Sequence, residues 1–201
     1  MKTIPQSGFS LIELLVTLSI VSLLMTIAVP SFQDLIERNR VQALMDEFTS
    51  SLYMVRGESA KRGYQVTLCA SNTAKTDCDT SATDFASGWI IFVDYDGNGQ
   101  LGAPGLLFDV NGNGINDTAE TVLYASHVSA GGNYGVESTG VGDRLWQISY
   151  RADGLLAGNS NAGFSLVKHG ESTELAGINI NQTGRIYSKI TPPVAAEPTP
   201  D

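Results

Sequence analysis

Two kinds of apolar pattern follow one another in the first third of the chain. Residues 9–29 are an unbroken apolar run holding a single charge, Glu13. As a helix rising about 1.5 Å per residue, such a run reaches roughly 31 Å, enough to cross a bilayer's hydrocarbon core. From Pro30 the run becomes a stripe of Phe32, Leu35, Ile36, Val41, Leu44, Met45, Phe48, Leu52 and Val55, with Glu37, Arg38, Arg40, Asp46 and Glu47 largely off it. Spacings of three and four predict an amphipathic helix that ends near Gly57 or Arg62, so residues 30–62 continue the first helix into a water-soluble domain. Met45 and Met54 in that stripe read as core filler.

Beyond Gly63 the pattern changes to short β-rich runs at 64–68, 89–93, 121–125, 145–150, 164–167 and 178–190, separated by clusters of Gly, Asn, Asp and Ser. A strand-rich segment, 63–190, after one long helix predicts an α+β fold, with the helix's apolar stripe laid on one face of an antiparallel sheet. Residues 191–201 hold four prolines and no periodicity, which predicts a disordered tail. Twelve basic against 21 acidic side chains give a formal charge of −9, a balance that opposes general attraction to nucleic acid or anionic lipid.

The segment before the apolar run, residues 1–8, is short and carries one positive side chain, Lys2. No small-x-small cleavage site follows the run, which separates it from an ordinary secretory signal. A carboxylate within a membrane helix costs about 2.5–3.5 kcal/mol on insertion scales, so Glu13 calls for a positive partner at its own depth. Cleavage after Gly8 would create one, the α-amino group of Phe9, on the same chain or on a neighbouring copy.

Gly8 followed by Phe9-Ser10-Leu11-Ile12-Glu13-Leu14-Leu15-Val16 resembles the class III signal of type IV pilins and type II secretion pseudopilins. Pro30 matches the proline many pilins carry where the helix leaves the membrane. The resemblance implies a leader, residues 1–8, cut between Gly8 and Phe9 by a prepilin peptidase that also methylates Phe9. It makes residues 9–29 a transmembrane and assembly helix and gives Glu13 the assembly contact with an adjacent subunit's N-terminal amine. It further implies a single-pass protein of the bacterial inner membrane with a periplasmic C-terminal domain, later drawn into a pilus or pseudopilus. Other major and minor pilins or pseudopilins and the inner-membrane assembly platform are its implied partners.

With the positive leader held in the cytoplasm, Cys69 and Cys78 would lie on the far side of the membrane, where disulfides persist. A bridge between them is expected; a zinc site is the weaker reading, because His127 and His169 are too scattered for ligand spacing. Leu68-Cys69-Ala70-Ser71 with Cys78, then Gly88-Trp89-Ile90-Ile91-Phe92-Val93-Asp94, Glu120-Thr121-Val122-Leu123 and a final strand with Gly184-Arg185-Ile186, narrow the resemblance to the FimT/GspH branch of minor pilins and pseudopilins. In that branch minor subunits prime filament assembly or sit near the tip. The cysteine-to-Gly-Trp block leans toward the type IV pilus, with an H-type minor pseudopilin of type II secretion as the alternative.

Two acidic loops suggest metal chemistry. Asp109, Asn111, Asn113, Ile115, Asp117 and Glu120 occupy the first, third, fifth, seventh, ninth and twelfth places of a twelve-residue calcium-loop template, with Gly114 at the sixth. Asp94, Asp96 and Asn98 begin the same template, but Gly105 stands at its twelfth place, leaving half a site. The same runs also build tight Asx turns that need no metal, and the sequence leaves both readings open. No cofactor is required for the expected role; Ca²⁺ is the one ion these residues suggest. Gly97-x-Gly99-x-x-Gly102 spells a dinucleotide fingerprint, yet Pro104 and Gly105 follow where a helix N-terminus would have to receive the pyrophosphate.

No nucleophile setting surrounds His127 or His169, so no enzymatic activity is expected. Some FimT-like minor pilins resemble DNA receptors with a C-terminal Gly-Arg-x-Arg motif. This chain has Gly184-Arg185-Ile186-Tyr187 with Lys189 nearby, so the second arginine is missing and phosphate neutralisation would be weak.

Overall fold

The computed structural model describes residues 10–103, 105–126, 134–139, 146–158, 161–168 and 174–190. Gly8, Phe9, His127, His169 and the tail 191–201 lie outside the described residues. The chain divides into two units, Met1–Gln42 and Ala43–Asp201. Helix α1, Leu11–Arg62, is one element of 52 residues, with Glu13 in its first turn and Lys61 and Arg62 in its last, each sign at the end the helix dipole favours. Pro30 lies inside α1 rather than ending it.

In the first unit, every large apolar side chain described from Leu11 to Ile36 is exposed. The hydroxyls of Thr17, Ser19, Ser22 and Thr26 are all turned back onto helix carbonyls, donating to Leu14, Leu15, Ser19 and Leu23 at 2.7–2.9 Å. Phe32, Leu35 and Ile36 extend the predicted stripe yet are exposed, so periodicity marks an apolar face without naming what covers it. Among the described residues, no helix is long and apolar enough to cross a membrane.

In the second unit, Leu44, Met45, Phe48, Leu52 and Val55 are buried, whereas Met54 is only half-buried and Tyr53 is exposed. The strands are β1 (Gln65–Ala70), β2 (Trp89–Asp94), β3 (Leu107–Phe108), β4 (Thr118–Ala119), β5 (Val122–Ala125), β6 (Tyr134–Ser138), β7 (Gln147–Tyr150), β8 (Ala162–Lys168), β9 (Glu174–Ile180) and β10 (Ile186–Ile190). They form two four-stranded sheets, β5-β2-β1-β7 and β10-β9-β8-β6, and the small hairpin β3-β4, every pair antiparallel. The helix therefore meets two sheets where the sequence predicts one. Phe48 joins them, with its ring edge-to-face on Trp89 of β2 and on Phe164 of β8, each at 5.1 Å, and on Phe85 at 5.3 Å. The buried Trp89 indole N–H donates to Ser51 Oγ at 2.8 Å, so the apolar contact is locked by a satisfied polar one.

All six residues of β2 are buried, which is why Trp-Ile-Ile-Phe-Val reads as a continuous apolar run rather than an alternation. Two strand expectations change. The run 178–190 is two strands, because Asn181 breaks it: its Oδ1 accepts from the Arg185 amide at 2.9 Å and the Thr183 hydroxyl at 2.7 Å, while Gly184 turns at φ 75°. A Cβ on Gly184 would stand 2.4 Å from the Gly154 carbonyl oxygen, so only glycine fits that turn. Strand β6, hidden by glycine and polar residues, is recognised only through its pairing with β8.

Cys69 and Cys78 form the expected disulfide, tying the buried end of β1 to the loop 72–79. By the loop-entropy account a closure this short contributes about 2.5 kcal/mol.

Candidate functional site

Glu13, exposed in the first turn of α1, has no partner among the described residues. Since the four hydroxyls that follow it are bonded within the helix, it is the one charged group of the apolar run left to be matched from outside.

The second group of chemistry-bearing residues sits at the end of β2. Asp94 is 1% exposed. Its Oδ2 accepts three hydrogen bonds, from Gln65 Nε2 at 2.7 Å, Thr67 Oγ1 at 2.9 Å and the Gly99 amide at 2.9 Å. Thr67 in turn stands 2.7 Å from Ser149 Oγ, extending the network across β1 to β7. Oδ1 of the same carboxylate is buried and has no partner. The loop after Asp94 turns back on it because Gly99 adopts φ 77°, which points its amide at Oδ2. Asp96 is exposed and accepts from the Asn98 amide and side chain at 3.0 and 2.7 Å.

Glu120 arrives from the other acidic loop. Half-buried, it accepts from the Tyr95 amide through Oε1 at 2.8 Å and from the Gly102 amide through Oε2 at 2.7 Å. One carboxylate oxygen each of Asp94, Asp96 and Glu120 lie within 4.8 Å of one another. The glutamate at the twelfth place of the second loop thus stands with the two aspartates of the first. The remaining residues of the second loop cap their own backbone. Asp109 accepts from the Asn113 and Gly114 amides, Asn111 from Asn113, and Asn113 from Ile115. Asp117 accepts from Thr118 Oγ1, and Ile115 is exposed. The loop joins β3 to β4 as a hairpin braced by these Asx turns.

Burial raises the Asp94 carboxyl above its ordinary value of 3.8, against the lowering effect of its three donors, and raises Glu120 above 4.5, helped by the charges of Asp94 and Asp96. Both bind their protons more tightly folded than unfolded. The stability this confers is complete below the ordinary carboxylate values and is lost as pH rises through the folded ones. In chelator-containing buffer, Asp94→Asn should flatten the fall in urea midpoint that the unaltered chain shows as pH rises from about 4 through the range where these raised carboxyls ionise. Parallel pH profiles for the two proteins would contradict the assignment.

The family described as Type II transport protein GspH matches residues 44–184 of this chain, well over half of its 201 residues. The chain belongs to the GspH family. The family described as Prokaryotic N-terminal methylation motif matches residues 5–29, the run that holds Gly8, Phe9 and Glu13. No curated protein matches the chain in sequence. Among solved structures, the type IV minor pilin FimU of Pseudomonas aeruginosa strain PAO1 in space group P21 aligns at TM-score 0.51 and 17% identity, covering 78% of this chain and 91% of FimU's. The P65 form of FimU gives 0.49 at 15% identity over 74% and 91%, and the solution structure of E. coli GspH 0.42 at 12% over 77% and 90%. The fold is thus the type IV pilin-like α+β fold, and the chain is a minor pilin or pseudopilin, a family of structural subunits.

In this GspH-family domain the two weak nucleic-acid candidates, Arg185 and Lys189, fall on the turn before β10 and on β10 itself. The Arg185 guanidinium lies 5.0 Å over the ring of its neighbour Tyr187, and Lys189 is exposed. Sequence reading missed Gln65 and Thr67 as the holders of Asp94 and Ser149 as the partner of Thr67. The usable signal was a lone aspartate ending a strand otherwise apolar throughout, since a buried charge implies donors on the adjoining strands.

Proposed function

We propose that this chain is a minor subunit of a type IV pilus, held in the bacterial inner membrane by residues 9–29 until assembly draws it into the filament, with residues 63–190 in the periplasm. The observation that carries this reading is α1: one helix from Leu11 to Arg62, exposing its described large apolar side chains as far as Ile36, with Glu13 unmatched among the described residues. Such a surface is stable only when lipid or other helices cover it. Helix packing against other pilins supplies cohesion, and the Phe9 amine of a neighbouring copy, freed by a prepilin peptidase between Gly8 and Phe9, supplies the charge that Glu13 lacks. No catalytic role is proposed.

A second reading, a minor pseudopilin of a type II secretion system, is favoured by the family's own description as a type II transport protein. A clean deletion in the source bacterium separates the two. We expect loss of surface pili and twitching motility with secretion intact. Secreted enzymes trapped in the periplasm of a normally piliated strain would overturn the pilus reading in favour of the pseudopilin.

A further inference from the structure

Three acidic side chains from two separate loops converge at the end of β2, and the most buried of them has an oxygen with nothing to bond. Asp94 Oδ1 is enclosed and without a hydrogen-bond partner, while Oδ2 of the same group is fully engaged by Gln65, Thr67 and Gly99. A buried carboxylate oxygen left in that state is costly unless a proton or a cation meets it. Among the described residues, the side chains that act on Asp94 include no cation: Gln65, Thr67 and the carboxyl of Asp96 meet it, and a Glu120 oxygen lies within 4.8 Å. Both of those carboxylates are positioned from the backbone, Asp96 by the Asn98 amide and Glu120 by the Tyr95 and Gly102 amides. The donors are therefore held in place without an ion bridging them.

From this convergence we infer that Asp94, Asp96 and Glu120 form a divalent-cation site that takes Ca²⁺ and pins the loop 95–102 to the segment joining β4 and β5. The donor set is oxygen only, which selects a hard cation over zinc or copper. The spacing favours the larger hard ion. Calcium binds oxygen at about 2.3–2.6 Å, so oxygens on opposite sides of one ion stand up to about 5.2 Å apart, and these three lie within 4.8 Å of one another. Magnesium at about 2.0–2.1 Å spans only about 4.2 Å and demands a near-ideal octahedron. Three carboxylates with open coordination positions left to water suit the weak class of calcium site, with Kd of about 10⁻⁴–10⁻³ M, that serves outside the cytoplasm. The site goes beyond the filament role and does not depend on it: a failed cation test leaves the pilin assignment standing.

The test uses the purified full chain in mild detergent, stripped with EDTA and then given CaCl₂ or MgCl₂, with thermal unfolding as the readout. Asp96→Asn is the informative variant, because Asp96 is exposed and the substitution keeps a side-chain oxygen for the Asn98 amide; Asp109→Ala reports on the second loop. The expected result is a rise in Tm at millimolar Ca²⁺ that is larger than with Mg²⁺, absent in Asp96→Asn and retained in Asp109→Ala. No rise in the unaltered chain, an equal rise with Mg²⁺, or a rise that survives Asp96→Asn overturns the inference. Loss of the rise in Asp109→Ala overturns a site confined to these three carboxylates. Terbium supplies a second readout that does not depend on stability. Tyr95, whose amide Glu120 holds, packs on Tyr64 at 5.1 Å, so tyrosine-sensitised Tb³⁺ emission displaced by Ca²⁺ is expected in the unaltered chain and not in Asp96→Asn.

Discussion

Replacing Glu13 with alanine should leave the chain in the membrane fraction and remove it from sheared filaments. The two halves of that result have separate causes. Losing a carboxylate from an apolar helix lowers the cost of insertion by about 2.5–3.5 kcal/mol, so membrane retention does not weaken. Within a filament built on the proposed Glu13 pairing, the same substitution would leave the Phe9 amine of the neighbouring subunit facing an apolar surface. Truncating one partner of a desolvated charge pair costs about 3–5 kcal/mol, which corresponds to a hundred-fold or greater loss of incorporation. Immunoblots of membranes and sheared filaments read both quantities. Normal incorporation of the alanine variant would refute the role given to Glu13, and the four self-bonded hydroxyls downstream offer no substitute charge.

Phe48→Ala should be the most damaging single truncation in the second unit. The ring is fully buried and touches three others, and it alone of α1's aromatic side chains reaches both β2 and β8 among the described residues. Removing a buried phenylalanine costs about 3–5 kcal/mol, and edge-to-face ring pairs add about 0.5–1.5 kcal/mol each beyond area. Against the roughly 5–15 kcal/mol that typically holds a domain together, that is a large share of the whole. The urea midpoint of the full chain in detergent reads the loss, and Tyr53→Ala on the exposed side of the same helix serves as the control. A Phe48→Ala midpoint within error of the Tyr53→Ala midpoint would show that the two sheets hold to the helix by other means.

The fold was legible where one local pattern dictated one element. The periodicity from Leu44 to Val55 specifies a buried helical face, and the apolar run at 89–93 specifies a strand, because side-chain spacing along a helix or strand is set by the backbone alone. Patterns that depend on a partner were less legible. Phe32, Leu35 and Ile36 share the spacing of the buried stripe but not its burial, and Tyr134–Ser138 becomes a strand through its pairing with β8. The turn from Asn181 to Arg185 is the opposite case: a short side chain capping its own backbone outweighs the β-propensity on either side.

By itself, the sequence determined the apolar run with its single charge, its continuation as an amphipathic helix, the strand-rich second half and the expected Cys69–Cys78 bridge, consequences of local spacing or of there being two cysteines to pair, and it carried a family resemblance at Gly8-Phe9. Only the tertiary structure decided which acidic residues stand together. Template spacing assigned Glu120 to the loop that begins at Asp109. In the folded chain, β2 pairs with β5 through a register shift between Ile91 and Phe92 that sets Phe92 against Val122. That register brings Asp94 and Glu120 to the same end of adjacent strands, where Glu120 seizes the amides of Tyr95 and Gly102. A one-residue bulge in a long-range pairing has no signature in local spacing, because its stability comes from contacts between segments far apart in the chain.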